Sequence, residues 1–251
     1  MPKTPKKNSA TFWNKEYQTG EHLSLSTEPS GDMMSFVKWV VRNSEWYPFP
    51  KNGLIVDAGC GNGRNIVPLC GEYNMRGIGI DISGTAIEQA KAAAKEKGVT
   101  KIEPDAKVVK EERIKFLTQD LSEKIPTEDA SVDVFFDMMT SHFLKDEERK
   151  NYVKEIARVV KPYGWMFLKT FVLDADAHAI RLIKDHPAGE HNSYIHPRID
   201  VYEHVWTDDE IIDLFRPHFK IHKMIKSYKH IKDGKAYKRR TISVYMERLR
   251  D

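Results

Sequence analysis

Three glycines alternate with other residues at Gly59, Gly61 and Gly63, two positions after Asp57, which closes the apolar run Leu54–Val56. Such a turn after a strand lets backbone N–H groups approach a polar ligand with no Cβ atoms in the way. The dinucleotide fingerprint is G-x-G-x-x-G, whereas this chain reads G-x-G-x-G. An anion at Asp57 suits a cationic ligand better than a pyrophosphate. Asp81 ends a second apolar stretch, placed where a carboxylate accepts both hydroxyls of a ribose. His142 follows a fourth strand and is a candidate for a polar catalytic group near the reacting atoms. Its other reading is a helix-start residue satisfied by backbone. Stretch 172–206 holds His178, His186, His191, His196 and His204, with Arg198, Tyr202 and Glu203. Their spacings match no familiar metal-ligand pattern and no cysteine accompanies them, so no metal is expected. A solvated connection and a substrate-recognition element both remain open, the latter with His178, His196, Arg198 and Tyr202 as substrate contacts.

These residues need elements to hold them. "TFWNKEYQTG" carries Phe12, Trp13 and Tyr17 at helical spacing. "DMMSFVKWVVRNSEWY" follows a capping pattern, with Met33, Phe36, Val37, Val40 and Val41 at the helix period. Strand signals occur in "GLIVDAG", "RGIGIDIS", "IKFLTQDL", "SVDVFFDMMT" and "WMFLKTF". Helical ones occur in "GRNIVPLCGEY", "GTAIEQAKAAAKEKG", "DEERKNYVKEIARVVKPYG", which exits through Pro-Gly, and the capped "TDDEIIDLFRPHF". "KIHKMIKSYK" and "AYKRRTISVYME" flank "KDG" as a hairpin. Strands alternating with helices predict an α/β, doubly wound seven-stranded sheet, mostly parallel with an antiparallel C-terminal hairpin. Ligands of such a sheet bind beyond the carboxyl ends of its strands.

"VDAGCGNGRN", "GIGIDIS", "FLTQDL" and "DVFFDMM", taken in order, resemble the class I S-adenosylmethionine-dependent methyltransferases, a Rossmann-like family. The resemblance covers roughly residues 54–171. It implies S-adenosylmethionine as cofactor and methyl transfer as the activity. Asp57, Gly59, Cys60, Gly61, Gly63 and Asn65 would form the loop under the methionine part, and Asp81 with Ile82 would hold the ribose. Asp120 and Leu121 would meet the adenine, and Asp137 with Met138 the methionine side, Asp137 joining His142 as the catalytic candidates. The lead-in "FWNKEYQTGEHLSLSTEPS" looks like that of thiopurine- and tellurite-resistance-type small-molecule methyltransferases. That similarity implies Trp13 and Tyr17 closing over the cofactor, where plain core packing is the other reading. The expected organisation is a basic disordered tail over 1–10, a helical lid segment over 11–50 and the methyltransferase domain over 51–251, with 172–206 as its substrate-recognition insertion.

Composition narrows the partners. The chain has 251 residues and a formal net charge of +3, so no strong field announces nucleic acid. Two cysteines, Cys60 and Cys70, make no disulfide framework and suit a reducing, cytoplasmic setting. The N-terminus has no apolar segment behind its lysines, and no run reaches the roughly 18 residues of a membrane span. The N/D-P-P-Y/F sequence of amino-directed methyltransferases is missing, because Asp137 is followed by "MMTSH"; so is the Pro-Cys pair of cytosine-C5 enzymes. A small-molecule acceptor is the expectation. RNA is the alternative, through Lys223, Lys226, Lys229, Lys232, Lys235, Lys238, Arg239 and Arg240 of the hairpin, which lysines guarding a sheet edge would also explain. An NAD-dependent oxidoreductase and a cofactor-binding module without catalysis are the two other readings.

Overall fold

The structure is a computed structural model that describes residues 6–22, 25–44, 48–100, 112–227, 231–232, 235–236 and 239–250. Two helices lead in, α1 (Lys6–Thr19) and α2 (Gly31–Asn43). The central run is β1 (Leu54–Ala58), α3 (Ile66–Glu72), β2 (Arg76–Asp81), α4 (Gly84–Glu96), β3 (Ile114–Thr118) and β4 (Val132–Met138). A 3-10 turn at Ser141–Phe143 precedes α5 (Asp146–Val159) and β5 (Val160–Phe171). Then come α6 (Ala177–Asp185), β6 (Ser193–Ile195), β7 (Tyr202–His204), α7 (Asp208–Phe215) and β8 (Phe219–Ser227). The short β9 (Ile231–Lys232) and β10 (Lys235–Ala236) pair with each other before β11 (Thr241–Arg248).

The main sheet runs β3-β2-β1-β4-β5-β11-β8. Strands β1 to β5 pair in parallel and β11 is antiparallel to both neighbours, as the alternation and terminal hairpin predict. The order reverses between β1 and β4, and a crevice opens at such a point. Because both faces are covered, β1, β2 and β4 are buried almost throughout, which explains their unbroken apolar runs. Ile55, Val134, Phe136 and Phe167 pack under α2, α3 and α4. Val56, Ile80, Phe135 and Leu168 meet Tyr152 and Ile156 of α5 and Phe215 of α7 on the other face.

Several boundaries differ from the sequence reading. Helix α1 begins at Lys6, inside the stretch expected as a disordered tail. Ser30 lends α2 no side-chain cap; its own N–H is taken by Asn65 Oδ1 at 3.0 Å, tying the helix start to the glycine loop. Val41 is 54% exposed, so four of its five expected apolar positions face the core. Residues 45–47 and the hairpin turn at Asp233–Gly234 lie outside the described residues. The expected Pro-Gly exit is part of β5, because Tyr163 takes a left-handed φ of 65° and the register against β4 shifts there as a bulge. Stretch 172–206 is no plain solvated connection. It folds into α6 and the β6–β7 hairpin, burying Tyr194, Glu203, His204 and Trp206.

Phe36 locks α2 to the sheet, fully buried among Phe136, Trp165, Phe167 and Tyr245 with ring centroids 5.1–6.4 Å away. Phe36→Ala should cost about 3–5 kcal/mol of unfolding free energy, read as a lowered denaturation midpoint in urea. A loss below about 1 kcal/mol would show that α2 is not part of the cooperative core.

Candidate active site

The parallel pairing of β1 with β2 and β4 brings three strand ends to one level: Ala58 lies opposite Ile80 and Asp137. A cavity of about 280 Å³ opens above these ends. Gly59, Cys60, Gly61, Asn62, Arg64 and Asn65 line it from the first loop, with Asp81 and Ile82 from the second and Asp120 and Leu121 from the third. Met138 ends β4, with Met139 and Thr140 after it, Phe143 to Lys145 and Glu148 continue the wall, and Asp200 to Tyr202 close it. Trp13 and Tyr17 of α1 cover the near side.

The glycine turn is held by backbone. The N–H groups of Gly59 and Cys60 donate to the Ile80 carbonyl at 2.7 and 3.0 Å. Gly59 has φ 74°, and a Cβ there would stand 2.0 Å from Thr140 Oγ1, so the β1 and β4 loops meet only because it is glycine. At Gly61, φ 55°, a Cβ would stand 2.2 Å from the Tyr17 hydroxyl. Gly63 does not line the cavity; it lets α3 pass Ala90 of α4 closely.

Asp81 Oδ2 accepts the Gly61 N–H at 2.9 Å and Oδ1 that of Ser83 at 2.8 Å. Burial raises its pKa, and those amides pull it back. Asp120 Oδ1 accepts the Ser122 N–H at 2.8 Å. Asp57 does not line the cavity. It lies buried beneath the loop with neither carboxylate oxygen hydrogen-bonded among the described residues, and burial, then Asp81, pushes its pKa up to about 7.

The two catalytic candidates are corrected by position. Asp137 is fully buried and does not line the cavity; its Oδ1 accepts the Thr140 and Ser141 N–H groups at 3.3 and 3.2 Å, shaping the turn after β4. Burial pushes its pKa up to about 6. His142 lies behind Phe143, its ring 4.0 Å from that of Phe143 and 4.7 Å from that of Phe171, and also outside the cavity wall. Burial holds it neutral, well below the usual histidine value. A helical turn beside a strand end looks the same in sequence whether its histidine faces in or out.

Of the substrate candidates, only Tyr202 lines the cavity. His178 starts α6 behind an Asp176 cap, Arg198 is exposed, and His196 lies against Tyr194, 6.3 Å between ring centroids. Sequence reasoning missed Met139, Thr140, Phe143, Lys145, Glu148 and Asp200, whose only signal was proximity to strand ends. It also missed Asn14, whose Oδ1 accepts from Ser83 Oγ at 2.9 Å and the Thr85 N–H at 3.1 Å, pinning α1 over the site. Among the described residues, no cluster of His, Cys, Asp or Glu has metal-holding geometry.

Residues 55–164 match the family described as a methyltransferase domain. The 27-O-demethylrifamycin SV methyltransferase of Amycolatopsis mediterranei (strain S699) is 28% identical over 141 residues, 53% of this chain and 47% of that protein. The chain thus spans about half the length of that curated relative. Geranyl diphosphate C-methyltransferase from Streptomyces coelicolor A3(2), solved with S-adenosyl-L-homocysteine, superposes with TM-score 0.65 at 12% identity, covering 99% of this chain and 100% of that one. The 1,6-didemethyltoxoflavin-N1-methyltransferase of Burkholderia thailandensis gives 0.63 at 16%, covering 100% and 93%.

The sheet order and these likenesses define the class I methyltransferase fold. Residues 55–164 thus resemble a methyltransferase domain, and both solved neighbours hold S-adenosyl-L-homocysteine. The site fits that group: an unpartnered buried carboxylate lies beneath the loop, and carboxylates stand on the walls at Asp81 and Asp120.

Asp57, Asp81 and Asp137 bind a proton more tightly in the folded chain than in the unfolded one. Without cofactor, the contribution of these three groups to stability should therefore be greatest below the ordinary carboxylate range of about 4 and fall as pH rises toward the value of about 7 at Asp57. Asp57→Asn removes a large part of that loss. Thermal unfolding of the cofactor-free variant should gain on the parent between about pH 4 and 7. A constant gap across that window would refute the buried, unpaired charge.

Proposed function

We propose that the protein is an S-adenosylmethionine-dependent methyltransferase acting on a small molecule. The observation that carries this reading is the cavity itself, covered from one side by Trp13 and Tyr17 and from the other by Val201 and Tyr202. A site roofed by two separate segments suits a metabolite better than a polymer strand. The named relatives support it: their names give rifamycin, toxoflavin and geranyl diphosphate compounds as acceptors.

When bound, the cofactor supplies an electrophilic methyl group on a sulfonium. Asp81 uses one lone pair on each oxygen for Gly61 and Ser83, leaving acceptor capacity for two ribose hydroxyls. Asp120, with one oxygen tied to Ser122, offers the other to the adenine amino group, with Ile82 and Leu121 as apolar walls. Asp57 supplies negative charge beneath the methionine end, where Cys60, Asn65 and Met138 line the cavity. Asp137 and His142 act through the loop they shape and the aromatic wall behind it. Trp13, edge-on to Phe143 at 5.3 Å, and Tyr17 shut out water, which strengthens each polar contact inside. This aromatic cover is also what supports kinship with the thiopurine- and tellurite-resistance-type enzymes.

The RNA alternative loses some of its cations. Arg239 pairs with Glu203, Arg240 with Asp174, and Lys226 with Asp174 and Asp208. Lys223 lies over the Trp39 ring at 5.4 Å. Side chains at 229, 232, 235 and 238 lie outside the described residues.

Two measurements test the reading. Asp81→Ala should weaken S-adenosylmethionine and its demethylated product alike, by about 1.5–3 kcal/mol for each charge-assisted bond lost, in isothermal titration. With methyl-labelled cofactor, label should enter a metabolite fraction and survive charge reversal at Lys229, Lys232, Lys235 and Lys238. Label entering RNA instead, lost with those lysines and falling with salt by a log–log slope of about −0.7 per contact, would overturn the small-molecule reading.

A further inference from the structure

Helix α1 presents two faces at four-residue spacing. Ser9, Trp13 and Tyr17 line the cavity, while Asn14 and Gln18, each one position further on, bond to the start of α4. The first N–H groups and last carbonyls of a helix find no partner within it. At the start of α4, Ser83 Oγ accepts the Ala86 N–H at 3.1 Å. Asn14 Oδ1 supplies the rest of the cap, accepting the Thr85 N–H at 3.1 Å and the Ser83 hydroxyl at 2.9 Å. At the end of α1, the Gln89 side chain of α4 donates to the Tyr17 carbonyl at 2.6 Å. The capped turn is the one that carries Asp81, whose Oδ1 takes the Ser83 N–H at 2.8 Å.

Apolar packing holds α1 only weakly. Among its described side chains Glu16 alone is buried, and its carboxylate accepts the His22 N–H at 2.8 Å. Phe12, Trp13 and Tyr17 stay partly exposed, with Trp13 edge-on to Phe143 across the cavity mouth. The opposite wall is fastened differently: Val201 and Tyr202 are buried, and the Tyr202 hydroxyl meets Ser193, Glu190 and Arg149. A helix held by polar bonds at the surface, with no buried apolar anchor, opens at lower cost than an element packed into the core. Of the two covers of the cavity, α1 is the one that can lift.

We infer that Asn14 is the positioning residue that latches α1 to the ribose-binding turn, and that S-adenosylmethionine enters and its demethylated product leaves by release of this latch. The inference rests on the cofactor role proposed above for Asp81. Release takes the acceptor from the Ser83 hydroxyl and the cap from the Thr85 N–H, both in the turn beside Asp81. Closure restores them and sets the Tyr17 hydroxyl back against Gly61, whose N–H holds the other Asp81 oxygen. Latch and ribose carboxylate thus share one turn, so docking of α1 and binding of the cofactor favour each other. A site that must open before it binds shows an association rate scaled by its open fraction. Weakening the latch therefore speeds both entry and exit.

The test follows S-adenosyl-L-homocysteine binding to the full chain, captured through its C-terminus, by surface plasmon resonance. One neutral hydrogen bond is worth roughly a factor of 2 to 10 in an equilibrium constant. Asn14→Ala loses two, and should raise the dissociation rate by about tenfold and the association rate by about threefold or more. Gln89→Ala leaves the Asn14 cap intact and should move both rates the same way, by about twofold. Asn14→Asp keeps an accepting oxygen at a helix start, where aspartate is a good cap, and should stay within about twofold of the parent. Unchanged rates in both Asn14→Ala and Gln89→Ala would overturn the latch, as would an Asn14→Asp loss as large as that of Asn14→Ala. Faster dissociation with association unchanged or slower would also overturn it, since a mere support for Asp81 gives that pattern. A parent chain that binds neither S-adenosyl-L-homocysteine nor S-adenosylmethionine would overturn the cofactor reading itself.

Discussion

One carboxylate organises this site. Asp81 accepts an amide from the glycine loop with one oxygen and an amide from the start of α4 with the other. Each partner holds a piece of α1: Gly61 lies against the Tyr17 hydroxyl, and Ser83 donates to Asn14. The Gln89 side chain of α4 adds a bond to the Tyr17 carbonyl at 2.6 Å. The N-terminal helix is thus fastened to the two loops it covers. The two loops and the helix over them share one hydrogen-bonding centre.

That arrangement has an electrostatic cost. Three aspartates, Asp57, Asp81 and Asp137, lie buried at adjacent strand ends, each with its pKa raised by loss of water. Backbone N–H groups offset part of this at Asp81 and Asp137, whereas Asp57 has no hydrogen-bond partner among the described residues and only the Arg64 charge acts against its burial. Under the function proposed above, this uncompensated charge suits a cofactor carrying a positive charge.

The insertion after β5 follows a different rule: most of its buried polar groups pair with one another, with Trp206 Nε1 an exception among the described residues. Arg149 donates to the Leu144 carbonyl at 2.6 Å and lies over the Trp206 ring at 5.6 Å, joining α5 to the hairpin. Arg239 reaches in from the strand connection to Glu203 and Tyr194. Buried networks of this kind tolerate little rearrangement, because each unpaired member would bear its full desolvation cost. They give this side of the cavity a tightly bonded wall, and they draw cations of the hairpin inward.

Local rules made the sheet, its strand count, the terminal hairpin and the glycine loop readable from the chain alone. Apolar runs buried on both faces look alike in any parallel sheet, and a G-x-G-x-G turn after a strand requires left-handed backbone wherever it occurs. Asp81 and Asp120 were legible for the same reason, since a residue ending a parallel strand has only one place to go. Orientation was not legible. Whether His142 faces the cavity or the aromatic layer behind it depends on a 3-10 turn shaped by Asp137, and whether Gly63 meets a ligand or Ala90 depends on how α3 crosses α4. Stretch 172–206 hid its helix and hairpin because its strands are three residues long, too short to show alternation. Its five histidines have one sequence pattern and several fates: His204 is buried between Ser193 and Glu210, and His191 is exposed. Only tertiary contacts, which join residues nine to fifty-three positions apart around Tyr202, decide which polar side chain of the stretch reaches the cavity wall.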